Sequence, residues 1–148
     1  MEIEKKFLIK RLPNNLGSYP HKEIKQGYIA TSPVIRIRQL GDNFILTIKG
    51  KGLLEREEYE LNITNDQFQK LSAKVEGTVI DKTRYYIPYR NYTIELDLFH
   101  SHYQGLQVAE VEFETLDDAN AFIPPDWFGE DVTHDVNYQN STLSQKKE

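Results

Sequence analysis

The chain has no cysteine, which excludes disulfides and thiolate chemistry and leaves the compartment open. It also has no apolar run near the roughly 20 residues that a membrane-spanning helix needs. The first residues already read as a charged strand, so no signal peptide is expected and the cytoplasm is the default. An excess of basic charge is missing too: 18 Lys and Arg stand against 23 Asp and Glu, for a net charge of −5. That balance gives no support to non-specific nucleic-acid binding, so a polyanionic ligand would have to meet locally gathered Lys and Arg. Finally, no Gly/Ser- or Pro-rich linker, low-complexity tract or sequence repeat divides the 148 residues, which read as one domain over 1–148.

What the chain does have is charge in phase. Seven stretches place charged residues at i and i+2: Glu2-x-Glu4-x-Lys6, Arg36-x-Arg38, Lys49-x-Lys51, Arg56-x-Glu58-x-Glu60, Lys82-x-Arg84, Glu95-x-Asp97 and Glu110-x-Glu112-x-Glu114. Side chains alternate across a strand, so each set shares one face. The opposite phase is apolar, as in Ile3, Phe7 and Ile9, or Ile94, Leu96 and Leu98.

A solvated face of an antiparallel sheet is the plain explanation of such alternation. The grouping of signs argues for more. Arg36 with Arg38 and Lys82 with Arg84 are purely basic, whereas Glu95 with Asp97 and the Glu110–Glu114 run are purely acidic. Same-face neighbours about 7 Å apart repel by roughly 2 kcal/mol at an effective dielectric of 20. Salt water screens that repulsion on an open surface, but a concave one needs compensation: cations for the carboxylates and a polyanion for the basic cluster.

The alternation predicts strands near 2–10, 25–30, 34–40, 43–50, 55–63, 80–87, 92–99 and 107–114. Gly41-Asp42-Asn43 marks a hairpin turn, and Pro88 and Asn91 bracket another. Helices are expected over 65–75, capped by Thr64 or Asn65, and over 116–122 after Thr115, with a last short one in the tail beyond Asp135. The fold class is therefore mainly β with a few short helices. Eight antiparallel strands suffice to close a barrel, here with the charged phase inside and the apolar phase outside under the helices.

Glu2-Ile3-Glu4-Lys5-Lys6-Phe7 resembles the ExExK signature of the CYTH superfamily, the triphosphate tunnel metalloenzymes. Arg36-x-Arg38, the Lys49-Gly50 strand end, Arg56-x-Glu58-x-Glu60, Lys82-Thr83-Arg84, Glu95-Leu96-Asp97-x-Phe99 and Glu110-Val111-Glu112 follow in that family's order and rough spacing. Asp131-Val132-Thr133 and Tyr138-x-Asn140 resemble its C-terminal element, although Asn137 stands where relatives often carry a basic residue. The resemblance spans nearly the whole chain and implies an eight-stranded antiparallel tunnel that binds a triphosphate with divalent metal.

Arg and Lys make charge-assisted hydrogen bonds to phosphate oxygens, which suits Lys6, Arg36, Arg38, Lys49, Arg56, Lys82 and Arg84 to the phosphate chain. Carboxylates are hard oxygen ligands for Mg²⁺ or Mn²⁺. By resemblance, Glu2, Glu4, Glu110 and Glu112 are the metal candidates. Glu58, Glu60 and Asp97 could hold a second ion or pair with neighbouring cations. The resemblance also implies a Lys–Tyr pair that takes the proton of the attacking water, matched here by Lys6 and by Tyr28 in Gln26-Gly27-Tyr28.

The implied activity is hydrolysis of inorganic tripolyphosphate, by water attack on a terminal phosphorus. Alternatives are a thiamine triphosphatase, a class IV type adenylate cyclase and a non-catalytic polyphosphate- or nucleotide-binding module. The expected partner is a small-molecule triphosphate, with no nucleic acid and no membrane; homodimerisation stays open. His100-x-His102 has metal-ligand spacing but lies at a strand end, where a solvent-facing role is expected.

Overall fold

The computed structural model describes residues 3–50 and 57–145, so Glu2, Lys51 and Arg56 of the charged stretches lie outside the described residues. The strands are β1 (Ile3–Ile9), β2 (His21–Thr31), β3 (Val34–Leu40), β4 (Asn43–Lys49), β5 (Glu58–Ile63), β6 (Glu76–Tyr89), β7 (Tyr92–Phe99), β8 (Gln107–Phe113) and β9 (Phe128–Asp131). The helices are α1 (Asn65–Ser72), α2 (Leu116–Ala121) and α3 (Asn140–Gln145).

The strands form one nine-stranded sheet in the order β5-β4-β3-β2-β6-β7-β8-β1-β9, and every described pairing is antiparallel. Closure into an eight-stranded barrel is corrected here: β5 and β9 are edges, and no ladder joins them among the described residues. The free side of β1 is taken by β9, which pairs Phe7 with Asp131. β9 is only four residues long, too short for a period-two pattern to reveal it. β2 and β6 begin earlier than their own alternation indicates. They pair with each other from His21 opposite Tyr85 to Tyr28 opposite Glu76, and this partnership extends both strands.

The apolar phase builds a core on the outer face. Phe7, Ile87, Ile94, Leu96, Val111 and Phe113 pack there against Ala119 of α2 and against Phe122 and Phe128 of the following segment. Burial of each large side chain contributes about 1.5–3 kcal/mol. Thr115 starts α2 by accepting from Asp118 N at 3.0 Å.

Farther along, α1 covers β3 and β4, with the Phe44 and Phe68 rings 5.4 Å apart. Its N-terminus is a capping box: Thr64 Oγ1 accepts from Gln67 N, and Gln67 Oε1 accepts from Thr64 N. The helix ends at Ser72, short of Val75, which instead lies on β2. A Cβ at Gly27 would sit 2.8 Å from the Val75 methyl carbons, so only glycine lets the two segments meet. The outer cover stops before β5, where Tyr59 and Leu61 stay 60% and 57% exposed.

The inner face is not charged throughout, contrary to expectation. Leu143 of α3 packs with Ile80, Phe99 and Val108, against which Leu8 also lies, so one end of that face is an apolar plug. Phe99 shares the phase of Glu95 and Asp97, and only the return of the C-terminal helix explains its burial. No helix among the described residues is long and apolar enough to cross a membrane.

Candidate active site

Directly paired residues of an antiparallel ladder point to the same side, so the register places the predicted residues. Gln26 faces Arg38, Tyr28 faces Arg36, and Arg36 in turn faces Thr47. Thr47 meets Glu60 and Lys49 meets Glu58. On the other half, Arg84 faces Asp97 and Glu95 faces Glu110, while Lys6 also faces Glu110 and Glu4 faces Glu112. All the described charged candidates therefore share the inner face, including the secondary carboxylates Glu58 and Glu60.

The two halves differ electrostatically. On β6 and β7 the charges cancel: Lys82 Nζ lies 2.8 Å from Asp97 Oδ2, and both side chains are only 1% exposed. Arg84 grips the same carboxylate with two bonds of 2.7 and 2.9 Å and also pairs with Glu95. Burial alone would lift Asp97, but Lys82 and Arg84 more than offset it and hold the carboxyl below its usual range. Burial likewise works against the Arg84 charge, yet the Asp97 bonds and charge, with Glu95 and Glu110, raise its pKa overall. Asp97 is committed to these two cations, a structural alternative already open for it in the sequence.

Across β3 and β4 the cations are less closely matched, with Glu58 and Glu60 of β5 the nearest carboxylates along the described ladders. Among the described residues, no ion pair engages Arg36, Arg38 or Lys49. Burial, followed by the charges of Arg36 and Arg84, pulls Arg38 down to about 10. The part of that shift due to Arg36 and Arg84 is mutual repulsion of cations, which an incoming anion would relieve.

Carboxylates gather at the other side of the face. Burial, then the neighbouring Glu110 and Asp97, raise Glu95 against the opposing pull of Arg84. Glu95, Glu112, Glu114 and Asp118 line a cavity of about 390 Å³ together with Asn91, Tyr92 and Thr93. A crowd of hard oxygen donors whose charges oppose one another fits a Mg²⁺-like cation that shares its coordination with phosphate and water.

Lys6 stands beside these carboxylates. Its ammonium lies 3.5 Å from Glu110 and donates to the Tyr138 carbonyl at 2.9 Å. Its backbone N–H donates to Thr133 Oγ1 at 3.1 Å, and its carbonyl accepts from Val132 N at 2.8 Å. Thr133 is in turn held by Asp131, so the Asp131-Val132-Thr133 element clamps the strand that presents Lys6. Tyr28 is buried at 8% exposure on β2, with β6, β7 and β8 between it and β1. No hydrogen bond joins Tyr28 to Lys6 among the described residues.

Two groups escaped sequence reasoning. Gln26 and Thr47 are fully buried on the inner face, in phase with Tyr28 and Lys49. Period two would have found them had neutral polar residues been counted with the charges. The second group is on the outer wall, where ligand atoms of Glu23, Asp81 and His100 lie within 4.8 Å of one another. Thr83 Oγ1 bridges it, 2.8 Å from Glu23 and 2.7 Å from His100 Nε2. His102 is not in the group, so the His-x-His spacing was not what mattered. No signal local to the sequence joins three residues so far apart.

An antiparallel sheet that sets free cations against crowded carboxylates on one face defines a class of metal-assisted, phosphate-handling enzymes. The chain belongs to the CYTH domain family, which it matches over residues 1–143. It is 43% identical over 148 residues to an inorganic triphosphatase of Nitrosomonas europaea, covering 97% of this chain and 96% of that protein. It is 37% identical over 153 residues to an inorganic triphosphatase of Acetivibrio thermocellus, covering 96% and 92% respectively. The crystal structure of the inorganic triphosphatase NE1496 superposes with a TM-score of 0.84 at 39% identity, covering 99% of this chain and 95% of that one.

Proposed function

We propose that this protein hydrolyses inorganic tripolyphosphate to pyrophosphate and phosphate, with Mg²⁺ or Mn²⁺ as cofactor. The observation that carries this reading is the segregation of charge on one sheet face: Arg36, Arg38 and Lys49 on β3 and β4, without an ion pair among the described residues, and Glu4, Glu95, Glu110 and Glu112 gathered on β1, β7 and β8. The relatives named inorganic triphosphatases support it.

In this mechanism Arg36, Arg38 and Lys49 hold the phosphate chain, and Arg56 is assigned to it from its motif. Lys82 and Arg84 add positive potential and keep Asp97 and Glu95 in place. Glu4, Glu110 and Glu112, with Glu95 beside them and Glu2 assigned from its motif, would hold the divalent cation. When bound, that cation neutralises charge on the phosphate oxygens. Phosphoryl transfer asks mainly for such positioning and neutralisation. Water oxygen attacks the terminal phosphorus, the bridging P–O bond breaks, and pyrophosphate leaves with the electron pair. Lys6, as the neutral amine, and Tyr28 are assigned to the water proton from their motifs, and the ammonium that results is held by the Tyr138 carbonyl and Glu110.

The test is phosphate release from tripolyphosphate, ATP and thiamine triphosphate in parallel, with Mg²⁺, Mn²⁺ or EDTA. Metal-dependent release that favours tripolyphosphate and is lost in Glu4→Gln is expected. Equal rates with EDTA, or no release from tripolyphosphate, would overturn the reading.

A further inference from the structure

Three neighbouring side chains on the inner face each bury a polar atom that has no hydrogen-bond partner among the described residues: Gln26 Nε2, Arg36 Nε and Thr47 Oγ1. Buried donors are nearly always satisfied, so three orphans in one place need an explanation. They lie on β2, β3 and β4, with Arg36 directly opposite Thr47 and next to the Gln26–Arg38 pairing. Gln26 and Thr47 are 2% and 0% exposed. The Gln26 amide orientation is set, because Arg38 Nε can only donate and does so to Gln26 Oε1 at 3.2 Å. The amide NH₂ is thus left as a donor.

Three donors beside Arg38 and Lys49, which have no ion pair among the described residues, call for an acceptor with several oxygens and negative charge. A phosphate group at the end of a chain offers three unshared oxygens, whereas an internal phosphate offers two. We propose that Gln26, Arg36 and Thr47 form a subsite for a terminal phosphate of the substrate, in which Gln26 and Thr47 supply uncharged donors that select for a free chain end. This rests on the triphosphatase reading and adds to it how the chain end is told apart from the chain.

Calorimetric titration in EDTA, where no metal-dependent turnover occurs, separates the two. The probes are tripolyphosphate, which has terminal phosphates, and cyclic trimetaphosphate, which has none. Thr47→Val is expected to bind tripolyphosphate about tenfold more weakly and trimetaphosphate within about twofold of wild type. Its thermal midpoint without ligand should be unchanged or higher, because it removes an unsatisfied buried hydroxyl. Gln26→Glu, which keeps an oxygen for Arg38 but exchanges the donor for a charge, should lose more than tenfold. Equal affinity of both variants and wild type for tripolyphosphate, or equal losses for both probes, would overturn the subsite alone. Wild type that binds neither probe yet releases phosphate from tripolyphosphate with Mg²⁺ would overturn the subsite alone; no release with Mg²⁺ or Mn²⁺ would overturn the triphosphatase reading.

Discussion

Lys82 on β6 and Asp97 on β7 form an ion pair of 2.8 Å with both side chains almost wholly buried. Arg84 shares the same carboxylate, so Asp97 is the hub of a three-residue network. Removing one partner of a buried pair leaves a charge uncompensated and costs about 3–5 kcal/mol. Asp97→Asn should therefore lower the urea-unfolding free energy by about that amount, since it strands the buried Lys82 and leaves Arg84 with Glu95 alone. Lys82→Met should cost less, because Arg84 still satisfies Asp97. Equal losses in the two variants would show that the hub is not Asp97.

Glu112 faces Glu4 across β8 and β1 and is exposed, with no role in the core. Glu112→Gln should leave stability within about 0.5 kcal/mol of wild type. Its metal-dependent hydrolysis should fall by about 100-fold, a barrier increase of about 2.7 kcal/mol, and recover in part at high Mg²⁺. Phosphate release measured across a Mg²⁺ series, beside a thermal melt, checks both halves.

Among the described residues Arg36 has no carboxylate partner, whereas Arg84 has two. The conservative change to lysine should therefore read out differently at the two positions. Arg36→Lys keeps the charge but loses the planar fork, raising KM for tripolyphosphate about tenfold, or about 1.4 kcal/mol, with little loss of stability. Arg84→Lys should instead lower the melting temperature, because it breaks the two-bond grip on Asp97. Steady-state kinetics and melts on the two variants decide it.

Asp131 accepts from both the backbone and the hydroxyl of Thr133, next to the Lys6 strand. Burial acts to raise its pKa, but the Thr133 bonds, with Lys5 and His134, lower it overall. A depressed carboxyl contributes stability above its unfolded value and loses it as pH falls through the folded one. Wild type should then exceed Asp131→Asn in urea midpoint at neutral pH, and the gap should narrow below about pH 4, where an unperturbed Asp titrates. A gap constant down to pH 2.5 would contradict this.

Much of the candidate site could be read before any coordinates. Arg36, Arg38, Glu110 and Glu112 share a face because side-chain direction follows residue parity, whichever strand lies alongside. Parity also puts Phe99 on the charged face, but not its burial there, because Leu143 returns from far along the chain to cover it. Thr47 and Gln26 were passed over because their importance depends on being buried without partners, a property of their surroundings.

Sequence alone determined the strand phase, the segregation of charge on one face and the chemical class of ligand, since these follow from local geometry and residue type. Tertiary structure decided which cations are free. Lys82-x-Arg84 and Arg36-x-Arg38 look alike in sequence, but β6 lies against β7 with its Glu95 and Asp97, and β3 lies between β2 and β4, which offer only neutral or basic inward groups at those positions. Strand order also left β5 and β9 as edges and brought Glu23, Asp81 and His100 together. An ion pair forms only within a few ångströms, and pairing between distant segments sets those distances.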